Sequence, residues 1–201
     1  MNFLAHHHLS GPEAELQLGG WLGDFVKGQK ALERWPEPVC RGIRLHRALD
    51  SWLDGQSEIQ HLKRGFKPEF RRFAGIVLDL MLDHLLALNW ERFSSGSLLE
   101  TEQQAYRLLT DNWQHLPERL RIFADYARQR NLLSGYRELG VVYEALAGIR
   151  RRFSRDNPLH RVADIQRDFY PALVDCFDQL YERAQGFAAV ELKSRSTITG
   201  S

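Results

Sequence analysis

The alternation of apolar and polar positions in this chain is helical nearly throughout, and one stretch departs from the ordinary amphipathic form. Over residues 76–90 almost every side is apolar, no proline or glycine intervenes, and the titratable interruptions are Asp79, Asp83 and His84. Such a run predicts a helix buried inside a domain. Carboxylates in that setting need a partner, because an ionised carboxylate taken out of water is costly unless it is paired, hydrogen-bonded or bound to a metal. Asp79 and Asp83 lie one turn apart and share a side, with His84 about 100° further round. Two readings are open. Either the acids pair with buried arginines and His84 is a hydrogen-bonded core histidine, or the three converge on a Mg, Mn, Fe or Zn site with mixed nitrogen and oxygen ligands.

The other elements follow from periodicity and punctuation. Residues 2–9 predict a short helix closed by Ser10, Gly11 and Pro12. Residues 13–27 continue as a helix weakened by Gly19, Gly20 and Gly23. Trp35 to Pro38 forms a helix start, and the helix itself covers 39–55. Pro68 opens a long central helix through residue 93, ended by the Ser/Gly linker 94–97. Residues 98–116, 117–131, 132–153 and 159–189 read as amphipathic helices, with a turn at 154–158 and a frayed polar tail at 191–201. No strand alternation or internal repeat is present, so the fold class is all-α, a single-domain helical bundle over 1–190.

Composition narrows the function classes. The chain has 201 residues, 43% of them hydrophobic, which suffices for one substantial core. A net charge of +1 argues against a nucleic-acid polyelectrolyte binder and leaves recognition to local patches. Cys40 and Cys176 are far apart and form no C-x-x-C, so neither a thiolate metal site nor a disulfide framework is expected, and a reducing cytoplasm suits the chain. The first ten residues lack the basic and apolar regions of a secretory signal. The 76–90 run is too short and too acidic for membrane insertion. No G-x-S-x-G, P-loop or glycine-rich dinucleotide fingerprint occurs.

The chemistry-bearing residues all fall in the first 84 positions. His6 and His8 are favoured over His7: on a helix successive histidines splay by about 100°, so at most two share a target, while in an extended segment His6 and His8 share a face. Asp24 stands among apolar neighbours beside small residues that permit close backbone approach, the alternative being an exposed acid paired with Lys27. His46 and Asp50, at i and i+4, can approach one ion or one phosphate, with Arg47 supplying a fork suited to phosphate; the alternative is a local His–Asp hydrogen bond. Several helices each presenting an acid or imidazole inward is how bundles build metal sites.

Four motifs carry a resemblance. Met1-Asn-Phe-Leu-Ala-His-x-His-Leu at 1–9, Gly-x-Leu-x-Asp-Phe-Val-Lys-Gly at 20–28, Gly-Ile-x-x-His-Arg-x-x-Asp at 42–50 and Asp-x-Met-x-Asp-His-x-Leu at 79–86 resemble the bacterial acyl carrier protein phosphodiesterases. Within that pattern His7 fills a place expected to be apolar, and Gly20 and Gly23 replace bulkier residues. The resemblance implies a divergent HD-domain-like fold and removal of 4'-phosphopantetheine from holo acyl carrier protein with a divalent metal, Mn or Mg. The adjacent pair here reads Asp83-His84, the reverse of the usual HD order.

Under this resemblance the metal ligands come from Asp24, His46, Asp50, Asp79, Asp83 and His84, with Asp24, Asp83 and His84 foremost. His6, His8 or Arg47 then stabilise the phosphoryl charge or protonate the leaving serine oxygen. An acidic carrier protein implies a basic docking face, for which Arg41, Arg44, Arg71 and Arg72 are the candidates and 150–155 the reserve. An HD-type hydrolase of a small phosphoester and a non-catalytic helical module that binds acyl carrier protein are the competing readings.

Overall fold

A computed structural model of the protein describes residues 1–194, and its regular structure among them is entirely helical. The helices are α1 (Phe3–Leu9), α2 (Ala14–Leu22), α3 (Gln29–Leu32), α4 (Glu37–Asp54), α5 (Ser57–Gly65), α6 (Pro68–Arg71), α7 (Ala74–Leu88), α8 (Trp90–Phe93), α9 (Leu98–Asp111), α10 (Glu118–Gln129), α11 (Leu132–Gly135), α12 (Leu139–Arg150) and α13 (Val162–Ser194). The all-α expectation is met. None of the helices among the described residues is long and apolar enough to cross a membrane.

α7 is the buried axis of the fold. Its Val77, Leu78, Met81, Leu82, Leu85 and Leu86 are all buried, and α1, α12 and α13 pack around it. Each such side chain contributes roughly 1.5–3 kcal/mol by leaving water. The run that was read as one helix over 68–93 is three. Phe73 (φ −107°, ψ 1°) separates α6 from α7, and Asn89 closes α7 by donating its side-chain amide to the Leu85 carbonyl at 2.8 Å. The 132–153 segment is likewise divided, because the buried Glu102 carboxylate of α9 accepts from the Leu133 and Ser134 N–H groups and pins α11 as a separate turn. Helices α3 and α5 were not anticipated.

α2 ends at Leu22, not at residue 27, so Asp24 lies on the loop that leads to α3. The most intimate pairing is α2 against α4. A Cβ on Gly19 would sit 2.3 Å from the Val39 carbonyl oxygen, and one on Gly42 would sit 2.2 Å from that of Leu16, so the two backbones meet without side chains between them. α13 runs on through Ser194, with Arg41 donating to the Leu192 carbonyl at 3.0 Å, so 191–194 are helical and not frayed. The remainder of the predicted tail lies outside the described residues.

Candidate active site

Close approach of α2 and α4 fixes the first ligand group. The Gly20 carbonyl accepts a hydrogen bond from His46 Nδ1 at 2.8 Å, which places the proton on Nδ1 and aims Nε2 away from α2. Gly23 leaves room for the ring, since a Cβ there would lie 2.2 Å from His46 Cγ. His46 Nε2 then faces Asp50 Oδ2 at 3.2 Å, one turn along α4, and Asp24 Oδ1 at 3.6 Å across the loop.

α1 brings the second imidazole. His6 stacks on His46 with ring centroids 3.6 Å apart, and its Nε2 lies 3.0 Å from Asp50 Oδ1 and 3.2 Å from the Met1 carbonyl oxygen. His6, His46 and Asp50 each present a ligand atom within 4.8 Å of the others. Both rings are buried, whereas Asp24 and Asp50 keep 62% and 42% of their side-chain surface exposed, so the cluster opens to solvent on its carboxylate side. His6 Nδ1 is buried without a hydrogen-bond partner. Two imidazoles and two carboxylates that converge from three elements fit a divalent cation.

The electrostatics are set by one shared proton. Burial alone would lower the His46 pKa, but contacts with Asp24 and Asp50 outweigh it and raise the value to about 9. Burial and the neighbouring His46 charge push His6 down to about 4. Asp24 is held below the usual carboxylate range by His46. Asp50 is held far below it because hydrogen bonds from His46 and His6 overcome its desolvation.

A stability consequence follows for the metal-free protein. His46 has a folded pKa above its unfolded value of 6.5, so its contribution is complete below pH 6.5 and disappears as pH rises to about 9. His6 has the opposite sign and weakens the fold as pH falls from 6.5 towards 4. The EDTA-treated protein is therefore expected to be most stable near neutrality and to lose about 1–3 kcal/mol between pH 6.5 and 9, the lower end reflecting solvent screening of the two acids. Thermal melts across that range check this, and His46→Asn should abolish the alkaline decline. A stability that keeps rising to pH 9 would contradict the proton placement.

The remaining sequence candidates are placed elsewhere or at the margin. Asp79 borders the cluster, with the Met1 amino nitrogen 2.7 Å from its Oδ1 and 3.9 Å from Asp50 Oδ1. Asp83 is fully buried and accepts from the backbone N–H groups of Leu4 (2.8 Å), Asn2 (3.1 Å) and Ala5 (3.2 Å), so it caps α1. Burial pushes its carboxyl up to about 7 against the opposing pull of the Met1 amine and those three donors. His84 donates from Nδ1 to the Tyr136 carbonyl at 2.6 Å and meets the Tyr170 hydroxyl at Nε2, 2.8 Å away. His8 bonds the Tyr181 hydroxyl at 2.7 Å and packs edge-on against Trp90. Both rings are thus core histidines in this arrangement, while His7, buried as well, accepts from Trp21 Nε1 at 3.2 Å. Arg47 donates to the Val26 carbonyl and ties down the loop that carries Asp24.

Above the cluster lies a cavity of about 680 Å³, lined by segments too far apart in the chain for spacing to reveal it. Asp24, Asp50 and Asp79 line it together with Phe3, Phe25, Leu80, Phe123 and Tyr126. The basic residues that line it are Lys27, Arg119, Arg151 and Arg152. Of these only Arg151 and Arg152 fall in a segment considered from sequence as a docking face, the reserve cluster 150–155. Arg41 and Arg44 are engaged away from it, the latter with Glu37 at 2.6 Å. Arg72 borders a separate depression that shares Phe153 with the cavity, and Arg71 is exposed on α6.

Comparison with known proteins bears on this arrangement. No solved structure matches the chain. The acyl carrier protein phosphodiesterase of Enterobacter sp. (strain 638) is 33% identical over 188 residues, covering 91% of this chain and 95% of that one. The acyl carrier protein phosphodiesterase of Salmonella agona (strain SL483) is 32% identical over 197 residues, covering 94% of this chain and 98% of its own. The sequence model for acyl carrier protein phosphodiesterase matches residues 1–184, a span that contains every member of the cluster, and the chain therefore belongs to the acyl carrier protein phosphodiesterase family.

Proposed function

We propose that this chain is a metal-dependent phosphodiesterase that hydrolyses the bond between 4'-phosphopantetheine and the serine of holo acyl carrier protein, leaving the apo carrier. The observation that carries the reading is the meeting of His6, His46 and Asp50 beside Asp24, with Asp24 and Asp50 lining an open cavity. The names of the relatives supply the substrate. His6, His46 and Asp50 would hold the cation, with Asp24 completing its open side. Mn suits two imidazoles beside carboxylates better than Mg does. When bound, the cation supplies positive charge for the phosphoryl oxygens and acidifies water.

The protein groups divide the remaining work. Asp24 is ionised and solvent-facing, so it would orient the attacking water, accept its proton, and return that proton to the serine oxygen released as the phosphorus–oxygen bond breaks. The Gly20 carbonyl keeps the His46 ring in one tautomer, and Arg47 keeps the Asp24 loop in register through Val26. Lys27, on the same loop as Asp24, is available to the developing phosphoryl charge, whereas His8 and Arg47 are occupied elsewhere. On this reading the chain is a divergent relative of the HD-domain phosphohydrolases. Its imidazole and carboxylate are one helical turn apart, at His46 and Asp50, and not adjacent in sequence.

The test is to incubate the protein with holo acyl carrier protein and Mn, with and without EDTA, and to weigh the carrier intact. The expected result is loss of the phosphopantetheine mass that EDTA abolishes. An unchanged carrier accompanied by turnover of small diesters would favour a small-phosphoester hydrolase, and binding without turnover would favour a carrier-protein module.

A further inference from the structure

The mouth of the cavity combines two features that a solvated surface seldom keeps together. Among the described residues few large apolar side chains are exposed, and two of them, Ile122 at 65% and Phe153 at 41%, line this cavity. Beside them stand Arg119 at the start of α10 and Arg151 and Arg152 just beyond α12, with Lys27 on the α2–α3 loop; all four are exposed. None of the four makes an ion pair among the described residues, whereas Arg44, Arg150 and Arg137 are each held by an acid. Exposed aromatic and aliphatic side chains flanked by unpaired arginines are the composition of a protein interface core with a charged rim.

Resting on the function proposed above, we propose that Arg119, Arg151, Arg152 and Lys27, around Ile122 and Phe153, form the docking surface for the acidic carrier protein. The argument is charge complementarity placed where it is needed. The cavity floor is acidic, through Asp24, Asp50 and Asp79, and would repel an acidic protein unless cations at the rim received it first. The rim positions come from three separate elements and surround the entrance, so a partner seated on them presents its modified serine to the cluster below. Arg41 and Arg44, the docking candidates favoured from sequence, lie on the α4 face towards Glu37 and α13 and do not line the cavity.

The experiment compares the wild type with Arg151→Glu/Arg152→Glu, with Arg119→Glu and with Arg41→Glu/Arg44→Glu. It measures kcat/KM for holo acyl carrier protein and for bis(p-nitrophenyl) phosphate with Mn, across a salt series, with melting curves as the check on folding. The rim variants should lower the ratio of carrier-protein to small-diester kcat/KM by about tenfold, mainly through KM, and flatten its salt dependence. The Arg41→Glu/Arg44→Glu pair should leave that ratio within about twofold. An unchanged ratio in the rim variants, a larger fall in the α4 pair, or parallel loss of both substrates would each overturn this docking surface while leaving the phosphodiesterase reading standing. Failure of the wild type to turn over or bind the carrier would instead remove the function on which the surface rests.

Discussion

Asp50→Ala is expected to lose at least a thousandfold in turnover of holo acyl carrier protein and to retain little bound Mn, while folding normally. Among the described residues Asp50 is the one acid within hydrogen-bond distance of both imidazoles, through Oδ1 to His6 at 3.0 Å and Oδ2 to His46 at 3.2 Å. Its removal takes away a ligand and the charge that holds the stacked rings together, and loss of a group that acts as part of a unit typically costs about 10³-fold or more. The fold should survive because 42% of the Asp50 side chain is already in water. Metal content by mass spectrometry, single-turnover rates and thermal melts measured on the same preparation separate these effects. Asp24→Ala makes the contrast, since Asp24 is more exposed and lies further from His46 Nε2, at 3.6 Å. It should lose turnover while keeping more of the metal. If Asp50→Ala keeps its Mn and its rate, the cation is not held by this cluster.

The helical architecture was legible because burial imposes a three- and four-residue period on the amphipathic helices, while α7 stood out as a run apolar on nearly every side; the short α3 and α5 were not read. The types of residue in the site were legible too, since imidazoles and acids on apolar helices stand out against their neighbours. What could not be read was which of them meet. His46 and Asp50 share one helix and their approach is dictated by the i, i+4 spacing, but His6 joins them only through the packing of α1. Asp83, like Asp50, is an acid among apolar helical neighbours, but it is fully buried where Asp50 is 42% exposed, and different groups lie opposite it. Its partners are backbone N–H groups about eighty positions earlier in the chain. The arginines repeat the lesson. Arg44 is taken by Glu37 seven residues away and Arg41 by a carbonyl 151 residues away, so a conspicuous cluster in sequence is not a free one in space.

Asp83 carries the second large effect, and its sign separates two roles that sequence reasoning left merged. α1 begins at Phe3 with no side chain of its own capping it, so its first N–H groups depend on the Asp83 carboxylate delivered from α7. Negative charge at that end also suits the helix dipole. Asp83→Ala would strand the buried N–H groups of Leu4 and Ala5 and the part-buried one of Asn2, and leave α1, which carries His6, free to shift. The expected cost is roughly 3–5 kcal/mol in urea unfolding, with metal binding and turnover failing as a consequence of the displaced ring. Should the alanine variant not accumulate as folded protein, Asp83→Asn keeps one acceptor oxygen and should show an intermediate loss of stability. A capping residue predicts that stability already falls in the metal-free protein, with a wider gap in Mn because the variant no longer gains the stabilisation that the bound ion gives the wild type. A ligand predicts the reverse: near-normal stability without metal, and a defect confined to Mn binding. Equal unfolding midpoints for EDTA-treated wild type and Asp83→Ala would therefore return Asp83 to the metal and withdraw its assignment as the cap that positions His6.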